Sequence, residues 1–228
     1  PILEWISQQD DLHSHLTSRK LMVLENLRFD PREEGMDEGY AKELASKGDV
    51  FINEAFAAYR PAVSTTILPK LLPHAAGLRF AQEVEKLIQV RDNPKKPLVV
   101  IMGGAKVKDK LPVIKVLSQK ADAVLVGGKL VQEIKEENIQ LPTNVMVGKS
   151  NEDGFDISPD TTESWKNLIM GAQEIVWNGP LGKFEDPKND QSKKVAQMVL
   201  ESGAEIVVGG GDTVSLLEGL GLLGRYEQ

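Results

Sequence analysis

The 228-residue sequence has no cysteine, which excludes disulfides and thiolate metal sites and fits a reducing, cytoplasmic setting. No apolar run approaches the ~20 residues that a bilayer crossing requires, and no signal-peptide pattern precedes the first strand, so no membrane partner is expected. Positive charge is also short: the net charge of −7 argues against a general nucleic-acid surface, while leaving room for a local basic patch that holds an anion. Histidine occurs only at His13, His15 and His74. Internal repeats and low-complexity segments are missing. Two common nucleotide fingerprints are missing as well. "GGAKVKDK" (103–110) lacks the spacing and the Ser/Thr of a P-loop, and no Gly-x-Gly-x-x-Gly with a downstream ribose acid occurs.

What is present is an alternation of short apolar runs with longer amphipathic ones, the pattern of βα units and a parallel sheet. "KLMVLEN" (20–26) and "DVFINEA" (49–55) read as strands, with a helix between them closed by Gly48. "RFAQEVEKLIQVRDNP" reads as one amphipathic helix, stopped by Pro94 and Pro97. The Pro- and Lys-rich "NPKKP" marks a domain boundary, giving units 1–93 and 94–228. Beyond it, 98–102, 121–128, 174–179 and 205–211 read as strands buried on both faces, and helices fit at 107–120, 129–137, 160–172 and 190–203. The last two open with capping sequences, "SPDTTES" and "PKNDQS". The second half is therefore expected to be a doubly wound α/β domain. The opening "PILEWISQQ" is anomalous, because Leu3, Trp5 and Ile6 are apolar with nothing before them to pack on.

Each of those four strands ends in glycine: Gly103–Gly104, Gly127–Gly128, Gly179 and Gly209–Gly211. The carboxyl edge of an open α/β sheet is where ligands bind, and a helix that starts there offers N–H groups and a positive dipole end to phosphate. Glycine in one βα loop often has only a steric reason; four such loops favour a nucleotide-like ligand. Asp212 is a hard carboxylate suited to magnesium, or else a helix cap. Lys106 and Lys110, four apart, are either solvated charges or a pair aimed at a phosphoryl group.

Taken in order, "LENLRF", "GDVFINEAF", "GGAKVKDK", "GFDISPDT", "VWNGPLGKFE" and "VVGGGDT" resemble the phosphoglycerate kinase family, from about residue 20 to about residue 226. The resemblance implies two Rossmann-like parallel-sheet domains, of which the N-terminal one is incomplete here. It implies reversible phosphoryl transfer between 1,3-bisphosphoglycerate and Mg-ADP, giving 3-phosphoglycerate and ATP, in a monomer that closes about the helix preceding "NPKKP". Carried over by motif, Arg28 and Arg60 bind the phosphoglycerate, and Arg28, Lys110 and Gly211 serve catalysis. Gly104, Gly127 and Gly128 border the adenosine, with Phe155 and Asp156 near the base and Glu185 on the ribose. Lys106, Lys110, Asn178, Gly210, Gly211 and Thr213 meet the phosphates, and Asp212 holds Mg2+. No catalytic base is needed, since the acceptor is a carboxylate already ionised at neutral pH.

Several family features have no counterpart in these residues. The family's "DFNVP" strand, its "HLGRP" segment and its "TGGGA" turn are not found, which makes the chain read as an incomplete part of a longer enzyme. "AAYRPAV" stands for a His-Arg-rich segment, Lys129 replaces a usual glycine, and the helical segment that follows is shortened. The competing reading is a non-catalytic, nucleotide-binding relative; a more distant one is an unrelated α/β module for a small anion.

Overall fold

A computed structural model describes residues 22–226, and the chain divides after Lys86 into two compact units. The readings of Leu3, Trp5, Ile6, His13 and His15, and the first residues of the 20–26 strand, lie outside the described residues.

In the first unit, α1 (Pro31–Glu34) and α2 (Glu38–Ala45) are each opened by an aspartate: Asp30 accepts from Arg32 N–H and Asp37 from Tyr40 N–H. Tyr40, Ala41 and Leu44 of α2 bury against Val63 and Leu68, the latter at the start of α3 (Leu68–Leu71). β1 (Phe51–Asn53) pairs in parallel with β2 (His74–Ala76), Phe51 opposite His74. Residues 22–26 form no strand, contrary to the sequence expectation. Among the described residues they pair with no neighbour, and the Asn26 side chain instead accepts from Arg28 N–H at 3.1 Å, opening a single 3₁₀ turn at Leu27–Phe29. Helix α4 (Leu78–Asp92) follows β2, and the division between the units falls within it.

The second unit is built on a five-stranded, wholly parallel sheet of order β5-β4-β3-β6-β7. Its strands are β3 (Leu98–Met102), β4 (Ala123–Val126), β5 (Val145–Val147), β6 (Glu174–Asn178) and β7 (Glu205–Gly209). Between them run α5 (Val107–Ser118), α6 (Leu130–Glu136), α7 (Pro159–Met170) and α8 (Gln191–Glu201), and α9 (Gly211–Gly219) follows β7. All five residues of β3 are buried, and their alternation feeds two cores. Val99 and Ile101 join Trp165, Trp177 and Leu217 on one face; Leu98, Val100 and Met102 join Ile114 and Leu130 on the other. The expected caps divide. Ser158 does cap α7, accepting from Thr161 N–H at 3.2 Å, whereas the Asp190 side chain makes no capping bond to α8. That role falls to Asp156, from another loop, which accepts from Gln191 N–H at 3.0 Å.

Register places the strand ends in one line. Val147, Val126, Met102, Asn178 and Gly209 are successive partners across the sheet. The next residue of every strand is therefore glycine: Gly148, Gly127, Gly103, Gly179 and Gly210. Three of them extend the ladder, donating to Val126 O, Met102 O and Asn178 O respectively, each at 2.9 Å. Among the described residues, no helix is long and apolar enough to cross a membrane.

Candidate nucleotide-phosphate site at the glycine edge

The row of glycines lets three loops touch backbone to backbone. A Cβ on Gly103 would lie 2.1 Å from Pro180 O, so no side chain fits between the turn after β3 and the turn after β6. Above this floor lies a cleft of about 430 Å³, bordered by Gly104, Gly128, Phe155, Glu185 and Asp212.

At the β7 end, Gly210 turns the chain at φ 92°, a conformation reserved for glycine, and α9 begins with no side-chain cap. Asp212, in its first turn, is exposed, and among the described residues its carboxylate has no hydrogen-bond or ion-pair partner. It is thus not the helix cap that the sequence left open as an alternative. Thr213 is wholly buried and spent inside the fold: its hydroxyl accepts from Gly179 N–H at 2.7 Å and donates to Gly209 O at 2.9 Å, while its N–H goes to Gly210 O. It ties the β6 turn to the β7 turn rather than offering its groups to the cleft.

In the middle of the edge, Lys110 of α5 bonds to Asn178 Oδ1. Partial burial pushes its ammonium below the usual lysine value, and the charges of Asp212 and Asp109 oppose that shift. Lys106 is exposed with φ 68°, left-handed for a residue with a side chain, immediately before α5. The strain is held by Glu133 of α6, whose carboxylate accepts from Lys106 N–H at 3.2 Å and Val107 N–H at 2.5 Å. The start of α5 is therefore already occupied by an anion of the protein's own. Glu133 was not found from the sequence, because nothing local marks a cap donated from 26 residues away.

At the far end, residues 150–157 form a compact loop in which Asn151 and Asp156 bond one another, and Phe155 stands half exposed at its tip. Asp156 is buried; its two oxygens accept from Ile157 N–H and Gln191 N–H. Burial raises its pKa against those two bonds. It braces the loop that carries Phe155. Lys183 also borders the cleft, with Nζ 5.8 Å from the Phe155 ring centre, and Lys129 stands opposite at the start of α6. Lys183 was visible within "GKFE" but was not singled out.

The structure thus gathers Gly104, Gly128, Phe155, Glu185 and Asp212 around one cleft, with Lys106, Lys110 and Asn178 on the neighbouring β3 and β6 turns. Gly127 lies beneath as part of the floor. Arg28 and Arg60 belong to the first unit: Arg28 donates to Ala58 O at 3.0 Å, and Arg60 pairs with Glu34 at 2.9 Å. Arg28 lines a depression of about 370 Å³ there, with Asn53 and Ser64.

One carboxylate beside an uncapped helix start is a donor set that fits magnesium, an ion that binds through one or two carboxylates and takes its remaining oxygens from phosphates and water. The parallel sheet, with helices packed on both faces and its strand ends aligned at one glycine edge, defines a doubly wound α/β protein. The family model for phosphoglycerate kinase matches residues 4–145 and 129–227, and the chain belongs to that family. It is 34% identical to the phosphoglycerate kinase of Herpetosiphon aurantiacus over 256 residues, covering 91% of this chain and 65% of the relative. With that of Rubrobacter xylanophilus the identity is 36% over 253 residues, covering 91% and 64%. The solved phosphoglycerate kinase of Coxiella burnetii superposes with a TM-score of 0.71 at 28% identity, over 88% of this chain and 64% of that one. The chain thus spans just under two thirds of the length of the relatives it matches.

Proposed function

We propose that the chain takes part in reversible phosphoryl transfer between 1,3-bisphosphoglycerate and Mg-ADP, yielding 3-phosphoglycerate and ATP in glycolysis and gluconeogenesis. The observation that carries this reading is the unpartnered Asp212 beside the uncapped start of α9, with the charge of Lys110 coupled to it. Asp212 would hold magnesium, which when bound draws charge from the phosphate oxygens. Lys110, partly stripped of water and oriented by Asn178, offers its ammonium to the phosphoryl group in flight. Gly211 contributes a backbone N–H at the helix start, and Gly210 brings the chain close enough for it to be used. Lys106 supplies a second cation, and Glu185 accepts from the ribose hydroxyls. Thr213 and Asp156 act by fixing the turns on either side.

In this reading residues 94–228 bind the nucleotide, and residues 1–93 contribute Arg28 and Arg60 to the acidic triose. The nucleophile of the ATP-consuming direction is a carboxylate, so catalysis is positioning and charge stabilisation, with no proton to remove. The protein works as a monomer in the cytoplasm.

The test is ATP consumption by the 228-residue chain as 3-phosphoglycerate is added. Turnover that saturates with 3-phosphoglycerate supports the reading. Mg-ADP binding without any turnover would instead make the chain a nucleotide-binding relative.

A further inference from the structure

Resting on the nucleotide reading above, we infer that Glu133 is a positioning residue: it fixes the direction in which Lys106 leaves the chain, and so the reach of that cation to the nucleotide phosphates. Lys106 stands at φ 68° and ψ 70°, left-handed, immediately before α5. A Cβ makes that conformation unfavourable, and glycine alone adopts it freely. Its one return is that it turns two successive N–H groups to the same side, a concavity that suits an anion. Glu133 supplies the anion. One carboxylate oxygen accepts from Lys106 N–H at 3.2 Å and the other from Val107 N–H at 2.5 Å.

Glu133 reaches this turn from α6, which opens directly after the β4 turn. The two turns also touch at their glycines, since a Cβ on Gly128 would lie 2.9 Å from Gly104 O. Lys106 is therefore held from the wall of the cleft itself, and its neighbour Ala105 lines that cleft. The Lys106 side chain is exposed and, among the described residues, makes no hydrogen bond or ion pair. Sheet order sets the demand on it. β3 and β7 stand two strand spacings apart, about 9–10 Å, so phosphates held at Asp212 lie at a distance from the Lys106 backbone. A flexible four-carbon stem spans such a gap only when it departs in the right direction. Without Glu133, Lys106 relaxes toward ordinary φ values, its Cβ swings to another side, and the ammonium spends less time at the phosphates. Glu133 is itself an anion and can only repel them. Any favourable contribution it makes to nucleotide binding therefore passes through Lys106.

The experiment is calorimetric titration of the 228-residue chain with Mg-ADP, comparing Glu133→Ala, Lys106→Ala and the double variant well below the melting temperature of each. Lys106→Ala is expected to lower affinity about tenfold and Glu133→Ala about fivefold, with the double variant no weaker than Lys106→Ala alone. Should Glu133→Ala fail to fold, Glu133→Gln, which keeps one acceptor oxygen, carries the same cycle with a loss of about twofold. A purely structural cap lowers the melting temperature without this dependence on Lys106. Glu133→Ala binding as tightly as the unaltered chain, or more tightly, overturns the inference, because removing an anion then only relieves repulsion. Equal losses from Glu133→Ala with and without Lys106 overturn it as well. Undiminished affinity in Lys106→Ala overturns it and leaves the nucleotide reading standing. Failure of the unaltered chain to bind Mg-ADP sinks that reading and this inference together.

Discussion

The turn after β3 and the turn after β7 look alike in sequence, each a strand running into glycines and then a helix with a charged first turn. In the structure they are opposites. The start of α5 is closed by the Glu133 carboxylate, which takes two of its N–H groups, and its first turn carries Lys108 and Lys110 beside Asp109. The start of α9 has no cap, and its charged side chain is the free carboxylate of Asp212. One turn has spent its dipole inside the protein and offers ammonium groups; the other keeps its dipole available and adds an exposed carboxylate. A glycine-rich strand end therefore does not by itself make a phosphate site. Whether a carboxylate from elsewhere reaches the helix start decides it.

That contrast breaks most sharply at Asp212. Asp212→Asn is expected to lower Mg-ADP affinity about a hundredfold, roughly 2.7 kcal/mol, with little change in thermal stability, because among the described residues the side chain has no hydrogen bond or ion pair to lose. Equal affinity with and without magnesium in the unaltered chain would end the metal assignment. A smaller effect is expected at the closed turn. Glu133→Ala removes the cap of α5 at a cost of about 1 kcal/mol, read as a melting temperature lower by about 2–4 °C. It also opens a second uncapped helix start beside that of α9, so inorganic phosphate should stabilise the variant more than it stabilises the unaltered protein.

The smallest effect concerns Lys110, which lies between the two turns. Folding lowers its pKa, so in the alkaline window just below the ordinary lysine value of 10.5 the unfolded chain holds the proton more firmly than the folded one. Stability then rises with pH across that window relative to a variant without the group. The melting temperature of the unaltered chain minus that of Lys110→Met should rise as pH increases across that range; parallel curves would deny the shift.

Much of the second unit was legible because its strands are continuous apolar runs and its helices have strong punctuation. Residues 98–102 coincide with β3, and 107–120 differs from α5 only in its last turn. The three-residue strands β2 and β5 were too short to leave a periodic signal, and residues 22–26, apolar enough for a strand, find no partner to pair with among the described residues. At the site, the glycines and Asp212 were readable because they are local signals next to strand ends. Non-local commitments were not. Thr213 and Asp156 look like ligand groups in their motifs, yet their side chains answer to backbone N–H groups 34 and 35 residues away. Motifs mark where polar residues gather; they do not say which of them the fold has already used.

The unbroken row of five glycines has a thermodynamic side as well. Each glycine surrenders more chain freedom on folding than alanine would, roughly 0.5–1 kcal/mol at a regular position. Gly179 and Gly210 hold a positive φ that glycine alone favours, so the cost falls on Gly148, Gly127 and Gly103, roughly 1.5–3 kcal/mol together. That is a substantial share of the net stability of an ordinary domain, about 5–15 kcal/mol. It places the edge among the costliest parts of the sheet to order, and a ligand lying along it would return to the fold some of the stability that its own landing surface withholds.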